Sequence, residues 1–161
     1  MKYEKIMQDL KAGIYHPVYL LHGAESFFID SVTGYIENNA LIEGERSFNQ
    51  EILYGKETDF KTVVDNARQF PMMAERRVVI VREAQAMRTL KSLQSYIEKP
   101  SPQTVLVLAH KNKPLDKRTK FGKSVSKSAV ILDSKKLYDN QVPAWISTYL
   151  RSQKLNIDPQ A

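Results

Sequence analysis

The chain has 161 residues, of which 42% are apolar and 26% are charged, and it contains no cysteine. These values are typical of a soluble globular protein of about one domain, or of one domain and the start of a second. They exclude a disulfide framework, a thiolate nucleophile and a cysteine-based zinc site. No apolar run approaches the roughly 18 residues of a membrane span, and the N-terminus lacks the apolar core of a signal peptide. We therefore expect a cytoplasmic protein without membrane contact.

Much of the formal net charge of +6 comes from residues 111–127. Against the single acid Asp116, this segment carries the cations Lys111, Lys113, Lys117, Arg118, Lys120, Lys123 and Lys127. Such a cluster can contact nucleic-acid phosphates with an affinity that depends on salt. The alternative interpretation is a solvated helix face, so charge alone leaves the role of this segment open.

The first half of the chain alternates between helical and strand patterns. Apolar residues at spacings of three and four indicate helices, and a continuous apolar run indicates a strand covered on both faces. The predicted elements are helices over residues 2–11, 24–39 and 58–70 and strands over residues 18–22 and 48–54. Gly13 ends the first helix, Asp59 caps the third, and Pro71 stops it.

The second half repeats this alternation. Residues 77–82 give the clearest strand, because consecutive apolar residues between two arginines fit a central position in a sheet. The other predicted elements are helices over residues 90–97, 117–126 and 142–155 and strands over residues 104–109 and 129–132. Alternation at this interval indicates right-handed β-α-β units, so the sequence predicts an α/β fold with a three-layer, parallel five-stranded sheet.

The end of the sequence predicts the start of a second domain. Asp158 and Pro159 have the identities expected of an N-cap and a first helical residue. We therefore expect a first domain over residues 1–140, followed over residues 141–161 by a connecting helix and the truncated start of a second domain.

The motifs of nucleotide chemistry are incomplete. The turn after the first strand, at residues 22–30, lacks the second glycine and the Lys-Ser/Thr pair of G-x-x-x-x-G-K-[ST], and Glu25 would repel phosphates. Arg82 stands where the third strand would need an aspartate to hold magnesium. The three histidines are scattered along the chain without the spacing of metal ligands. We therefore expect no cofactor, no metal and no intrinsic catalysis.

The loop before the third strand carries two large apolar side chains, Met72 and Met73. Phe70 and Pro71 can fold back to close the core, but the two methionines fall at the tip of the loop. Large apolar groups held at a tip are more often for a partner than for water. The alternative is that both methionines pack beneath the domain's own helices.

Three segments of the sequence carry a resemblance to a known family. They are YLLHGAESF at residues 19–27, FPMMAERRVVIV at residues 70–81 and KPLDKR at residues 113–118. Their order and spacing resemble the N-terminal domain of the delta subunit of the bacterial DNA polymerase III clamp loader. The resemblance spans nearly the whole chain and implies a degenerate AAA+-like (P-loop NTPase-like) domain without a functional phosphate loop, followed by a lid-like domain.

The resemblance also implies a function and a site. In this family the delta subunit binds the sliding clamp and holds it open, while other subunits hydrolyse ATP. Two adjacent large apolar residues before the third strand insert into a pocket on the clamp, and the matching positions are Met72 and Met73. Phe70 and Pro71 would form their base, and Arg76 would contact the rim of the pocket.

The implied role is that of a non-catalytic subunit of a DNA-directed DNA polymerase, or nucleotidyltransferase, holoenzyme that acts in DNA replication. The implied partners are the sliding clamp (beta), other clamp-loader subunits and, indirectly through the complex, DNA. Arg76 and Arg77 either form salt bridges within the domain or line the rim of the clamp interface. Three interpretations, a solvated face, contact with a neighbouring subunit and contact with DNA, stay open for Lys117, Arg118, Lys120 and Lys123. The alternative function is a DNA-binding or degenerate nucleotide-binding module that uses residues 111–127.

Overall fold

The computed structural model describes residues 1–135. The helix predicted over residues 142–155 and the helix start predicted at Asp158 lie outside the described residues. In the described part of the chain, none of the helices combines the length and the apolar composition that crossing a membrane requires.

Five strands form one parallel sheet. They are β1 (Val18–Gly23), β2 (Gln50–Tyr54), β3 (Arg77–Arg82), β4 (Thr104–Lys111) and β5 (Val130–Ser134). Their order across the sheet is β2-β3-β4-β1-β5, and each neighbouring pair is parallel. The interior strands β1, β3 and β4 have continuous apolar runs because helices cover both of their faces. The predicted α/β fold with a parallel five-stranded sheet is confirmed.

Helices lie on both faces of the sheet. They are α1 (Tyr3–Lys11), α2 (Ser26–Asn39), α3 (Glu43–Asn49), α4 (Phe60–Ala67), α5 (Gln94–Glu98) and α6 (Lys120–Ser128). Val78 and Ile80 of β3 belong to the core shared with α1 and α2. Val79 and Val81 belong to the core shared with α4, α5 and α6. The side chains of one strand thus alternate between two cores, and the domain has the three predicted layers.

Helix α3 was not predicted, and the predicted strand over residues 48–54 begins only at Gln50. The Ile42 N–H donates a hydrogen bond to Glu45 Oε1 at 3.2 Å and fixes the first turn of α3. Ile42 and Phe48 are both exposed, so this helix has no apolar stripe of the kind that reveals a helix in a sequence.

Two predicted helices differ from the expectation, one in its length and the other in the type of its first turn. The third predicted helix, over residues 58–70, becomes α4 and ends at Ala67. The helix predicted over residues 90–97 begins as a 3₁₀ turn, Leu90–Leu93, and continues as α5. The early end of α4 lengthens the loop that carries the two methionines.

Candidate partner-binding site

The tip is the loop of residues 70–76 between α4 and β3, at the edge of the sheet where the strands begin. Met72 is 60% exposed and Met73 is 99% exposed, so neither side chain is buried beneath the helices. Met73 has a φ of 55°, a left-handed backbone conformation that residues other than glycine rarely adopt. Ala74 follows and packs against the core shared with α1 and α2. The backbone therefore turns back to the core while both methionine side chains stay in solvent.

Asn49, the last residue of α3, holds the backbone of the tip. Its Oδ1 accepts a hydrogen bond from the Met72 N–H at 2.6 Å, and its Nδ2 donates to the Met72 carbonyl oxygen at 2.9 Å. The Asn49 side chain is fully buried. One amide therefore satisfies both polar backbone atoms of Met72, as an adjacent strand would.

Arg77 joins α3 to α4 behind the tip. Its Nη1 donates to the Phe48 carbonyl oxygen at 3.1 Å. Its Nε donates to the Asn66 carbonyl oxygen at 2.6 Å, and its Nη2 donates to Asn66 Oδ1 at 3.1 Å. Because Arg77 is only 4% exposed, these bonds place it inside the domain.

Phe70 does not close the core. It is 77% exposed, because α4 ends before it and the chain carries it into solvent. Pro71 is half-buried. The expectation that Phe70 folds back onto the core is therefore wrong. Asn49, which the sequence did not single out, holds the loop from behind together with Arg77, whose bonds lie within the domain and not at the rim of the tip.

Arg76 also makes contacts within the domain. Its guanidinium lies over the Tyr15 ring, 4.3 Å from the ring centroid. Its Nη1 donates to the Ala40 carbonyl oxygen at 3.1 Å, and Glu75 lies 4.0 Å from Nη2. About a quarter of the Arg76 side chain remains exposed next to the tip.

The turn after β1 lies at the opposite edge of the sheet. Gly23 has a φ of +126°, and a Cβ there would lie 2.2 Å from the Ser134 carbonyl oxygen, so this close approach requires glycine. The Glu25 N–H donates to the same oxygen at 3.1 Å. The Glu25 carboxylate accepts from the Phe27 N–H at 3.2 Å as the N-cap of α2. It thereby occupies the helix N-terminus where a phosphate loop would hold its anion.

The cations at the carboxyl ends of β3 and β4 pair with acids of α2 and with Glu83, the residue after β3. Lys111 Nζ lies 2.6 Å from Asp30 Oδ1 and 3.9 Å from Glu83 Oε1. Arg82 Nη2 lies 2.7 Å from Glu37 Oε2. The sequence predicted that Arg82 stands where a magnesium ligand would be needed. In the structure this residue forms an ion pair with Glu37 of α2.

The structure divides residues 111–127 into paired and unpaired cations. Lys117 lies 3.2 Å from Asp133, and Arg118 lies 3.2 Å from Asp116. Within residues 1–135, the cations of this segment that form no direct ion pair are Lys113, Lys120, Lys123 and Lys127. The last three lie along one exposed face of α6 at spacings of three and four. Two of the four cations selected from the sequence are therefore paired within the domain.

Two histidines that are distant in the sequence lie side by side, His22 on β1 and His110 on β4. His22 Nδ1 accepts from the Leu115 N–H at 3.0 Å, and His110 Nδ1 lies 3.0 Å from the Lys113 carbonyl oxygen. Burial lowers the pKa of both imidazoles. The pair fixes the loop between β4 and α6. Among residues 1–135, no group of three or more metal-ligating side chains comes together.

A family of known proteins matches most of this chain. The family described as "DNA polymerase III, delta subunit" matches residues 19–135. DNA polymerase III subunit delta of Bacillus subtilis (strain 168) is 27% identical over 166 residues, which cover 97% of this chain and 48% of the relative. The chain thus spans about half the length of this relative.

Solved structures have the same fold. The Bacillus subtilis DNA clamp loader delta protein aligns with a TM-score of 0.83 and 26% identity, covering 94% of this chain and 48% of that chain. A DNA polymerase III gamma subunit-related protein from Thermotoga maritima aligns with a TM-score of 0.51 and 14% identity, covering 86% of this chain and 47% of that chain. The second likeness shows the fold alone. The expected AAA+-like fold is confirmed.

Proposed function

Because the chain belongs to the DNA polymerase III delta subunit family, whose members are subunits of the clamp loader, we propose that this domain binds the sliding clamp and helps to open it through Met72 and Met73. The observation that carries the proposal is the exposure of these side chains, 60% and 99%, on a backbone held from behind. Apolar side chains gain free energy when they move from water into an apolar pocket. An exposed pair on a fixed loop is therefore suited to insertion.

The two methionines can contribute substantially to the affinity of such a contact. Fully burying one methionine contributes about 1.5 to 3 kcal/mol, and about 1.4 kcal/mol changes an affinity tenfold. The pair can therefore account for about a hundredfold in affinity or more. Methionine is also flexible enough to fit a pocket that changes shape as a ring opens. In this proposal Phe70 and Pro71 add apolar contact, and the exposed part of Arg76 lies at the rim.

The test is the double substitution Met72→Ala and Met73→Ala, with affinity for the cognate sliding clamp measured by surface plasmon resonance. We expect about a hundredfold loss of affinity from the lost apolar burial. Circular dichroism and urea denaturation should show an unchanged fold, because both side chains are in solvent.

The matched control is Phe27→Ala, which removes an exposed apolar side chain at the opposite edge of the sheet. It should leave clamp affinity unchanged. If the double variant is folded and binds the clamp as tightly as the parent chain, the proposed site is wrong.

We further propose that the domain acts without catalysis of its own. In support, the Glu25 carboxylate takes up an N–H at the start of α2, and the Glu25 N–H is bonded to Ser134. A nucleotide phosphate would have to displace both contacts and would face a like charge. Isothermal titration with ATP and magnesium should give no saturable heat, and saturable binding would restore the nucleotide-binding alternative.

The remaining assignments extend the proposal to the whole subunit. We propose that residues 1–140 form the clamp-binding domain and that residues 141–161 lead toward a lid-like domain. The clamp, the other clamp-loader subunits and, through them, DNA are the partners, and the cytoplasm is the location. Partial proteolysis of the chain should leave a stable fragment that ends near residue 140, and cleavage within residues 1–135 first would contradict this division.

A second candidate function, DNA binding, rests on the unpaired cations of α6. Lys120, Lys123 and Lys127 present three positive charges along one exposed face of this helix. Neutralised phosphates release counterions, so DNA affinity through these residues should fall steeply as salt rises. Replacing the three lysines by alanine should remove DNA binding at low salt and leave clamp affinity intact. Absence of DNA binding at low salt in the parent chain would end this candidate.

A further inference from the structure

The side-chain amide of Asn49 is buried, and both of its N–H groups and its oxygen are hydrogen-bonded. Besides its two bonds to Met72, Nδ2 donates to the Glu45 carbonyl oxygen in the preceding turn of α3 at 2.9 Å. One N–H of the amide therefore anchors the side chain to its own helix, and the other is directed at the tip. A buried amide with satisfied donors and acceptor has one well-defined orientation.

The Asn49 amide holds the backbone of Met72, the residue before Met73, whose backbone is strained. Met73 keeps a left-handed backbone, which costs about 1 kcal/mol for a residue other than glycine and persists only where the surroundings impose it. Asn49 holds Met72 on one side of Met73, and the packed Ala74 holds the other side. Met73 is therefore held between two fixed residues, with its own side chain in solvent.

Arg77 keeps Asn49 in place relative to the tip. It bonds to the carbonyl oxygen of Phe48, the residue before Asn49, and to Asn66 near the end of α4. The end of α3, the end of α4 and the start of β3 are thus joined through one guanidinium. From this framework, the amide of Asn49 makes two hydrogen bonds to the backbone of the tip, both at Met72.

We propose that Asn49 is a positioning residue for clamp binding, which acts by holding the backbone of Met72 so that both methionines are presented in their bound arrangement. This inference rests on the proposed function of the tip. A loop that is ordered before binding loses less conformational entropy on binding, so the amide raises affinity without touching the clamp.

The test is Asn49→Ala in the otherwise unchanged chain and in the chain with both methionines replaced by alanine. Losing the two bonds to Met72 should weaken clamp affinity about tenfold in the first background. It should have no further effect in the second, because no apolar tip is left to position. Asn49→Asp retains the size and the acceptor but places an oxygen against the Met72 and Glu45 carbonyl oxygens, so it should weaken affinity in the same way.

Thr104→Val is the matched control for lost stability. Thr104 is also buried, and its hydroxyl donates to the Ala67 carbonyl oxygen at 2.7 Å and not to the backbone of Met72. It should lower the free energy of unfolding without changing clamp affinity. Equal losses of affinity in Thr104→Val and Asn49→Ala, or an equal effect of Asn49→Ala in both backgrounds, would overturn the positioning role.

A readout without the clamp separates this inference from the proposed function. Hydrogen exchange of the Met72 amide should accelerate at least about tenfold in Asn49→Ala, while amides in β4 keep their protection. The Met73 methyl signal should also narrow as the tip becomes more mobile. If the double methionine variant binds the clamp normally, the proposed function fails, and these two signals still decide whether Asn49 orders the tip. Unchanged signals would refute that role.

Discussion

The two edges of the sheet differ in whether their prominent side chains pair within the domain or stay exposed to solvent. At the carboxyl edge, charged groups pair within the domain: Lys111 with Asp30, and Arg82 with Glu37. At the amino edge, the Asn49 amide makes hydrogen bonds to the backbone of the tip, and the Met73 side chain remains 99% exposed. Phe27 and Tyr54 at the carboxyl edge are less exposed than Met72 and Met73, so the amino edge is the better suited to act by binding.

The largest expected effect on stability comes from Gly23→Ala at the carboxyl edge. The new Cβ would lie 2.2 Å from the Ser134 carbonyl oxygen on a backbone with a φ of +126°. We expect the free energy of unfolding to fall by about 2 to 3 kcal/mol in urea denaturation. Gly34→Ala is the control, because nothing lies within 4 Å of its Cβ and α2 should gain stability. A folded Gly23→Ala chain that binds the clamp less tightly would show that the two edges are coupled.

The next effect concerns affinity and comes from Met73→Gly. Removing the side chain should weaken clamp binding by about tenfold or more. The free energy of unfolding should hardly change, because two effects oppose each other. Glycine relieves the left-handed strain, which stabilises the folded chain, but it also raises the conformational entropy of the unfolded chain, which favours unfolding. Met73→Ala is the matched variant, with the side chain removed and the strain kept. Because glycine also loosens the tip, it should bind more weakly than alanine, and unchanged affinity in both variants would remove Met73 from the interface.

The fold could be predicted for those elements whose burial shows as a run of apolar residues in the sequence. The apolar runs of β1, β3 and β4 are continuous because both faces of each strand are covered, and a continuous run has few other interpretations. Helix α3 could not be found in this way, since Ile42 and Phe48 point to solvent and polar residues separate them. The early end of α4 was missed for a related reason. Phe70 continues the helical spacing in the sequence, but it lies in solvent in the structure.

The candidate site was predictable in its exposed part only. Met72 and Met73 could be selected because large apolar residues in a turn need an explanation. The role of Asn49 depends on contacts with a residue 23 positions away, and no local pattern encodes such a contact. The adjacency of His22 and His110 likewise follows from strand register, which the spacing of histidines in the sequence does not reveal.

A smaller effect is expected from Phe48→Ser, which tests how far the binding surface extends from the tip onto α3. Phe48 is 65% exposed and directly precedes Asn49. If the clamp covers this part of α3, partial loss of apolar burial should weaken affinity about fivefold. Tyr54→Ser removes an aromatic side chain that is 50% exposed at the carboxyl end of β2, and it should have no effect. Equal affinities for the parent chain and Phe48→Ser would confine the interface to the loop.

The smallest expected effect is a pH dependence of the free energy of unfolding that arises from His22 and His110 and leaves the tip unaffected. Burial lowers the pKa of His22 below its usual 6.5, with Lys117 and His110 acting in the same direction and Asp133 opposing them. Burial also lowers the pKa of His110. The unfolded chain therefore binds more protons than the folded chain as the pH falls below about 6.5, and the free energy of unfolding falls with it. Above about pH 7.5 both states are neutral at these residues and the contribution is constant.

Urea denaturation across about pH 5.5 to 8 measures this slope, in a range above the ordinary titration of carboxylates. His22→Asn is the control, because the Asn Oδ1 can accept from the Leu115 N–H at any pH. This variant should reduce the slope, and the part that remains belongs to His110. The tip is held by the uncharged amide of Asn49, so clamp affinity per folded molecule should stay constant across this range. A fall in affinity that follows the histidine titration, and that His22→Asn abolishes, would mean that the loop after β4 controls the tip across the sheet.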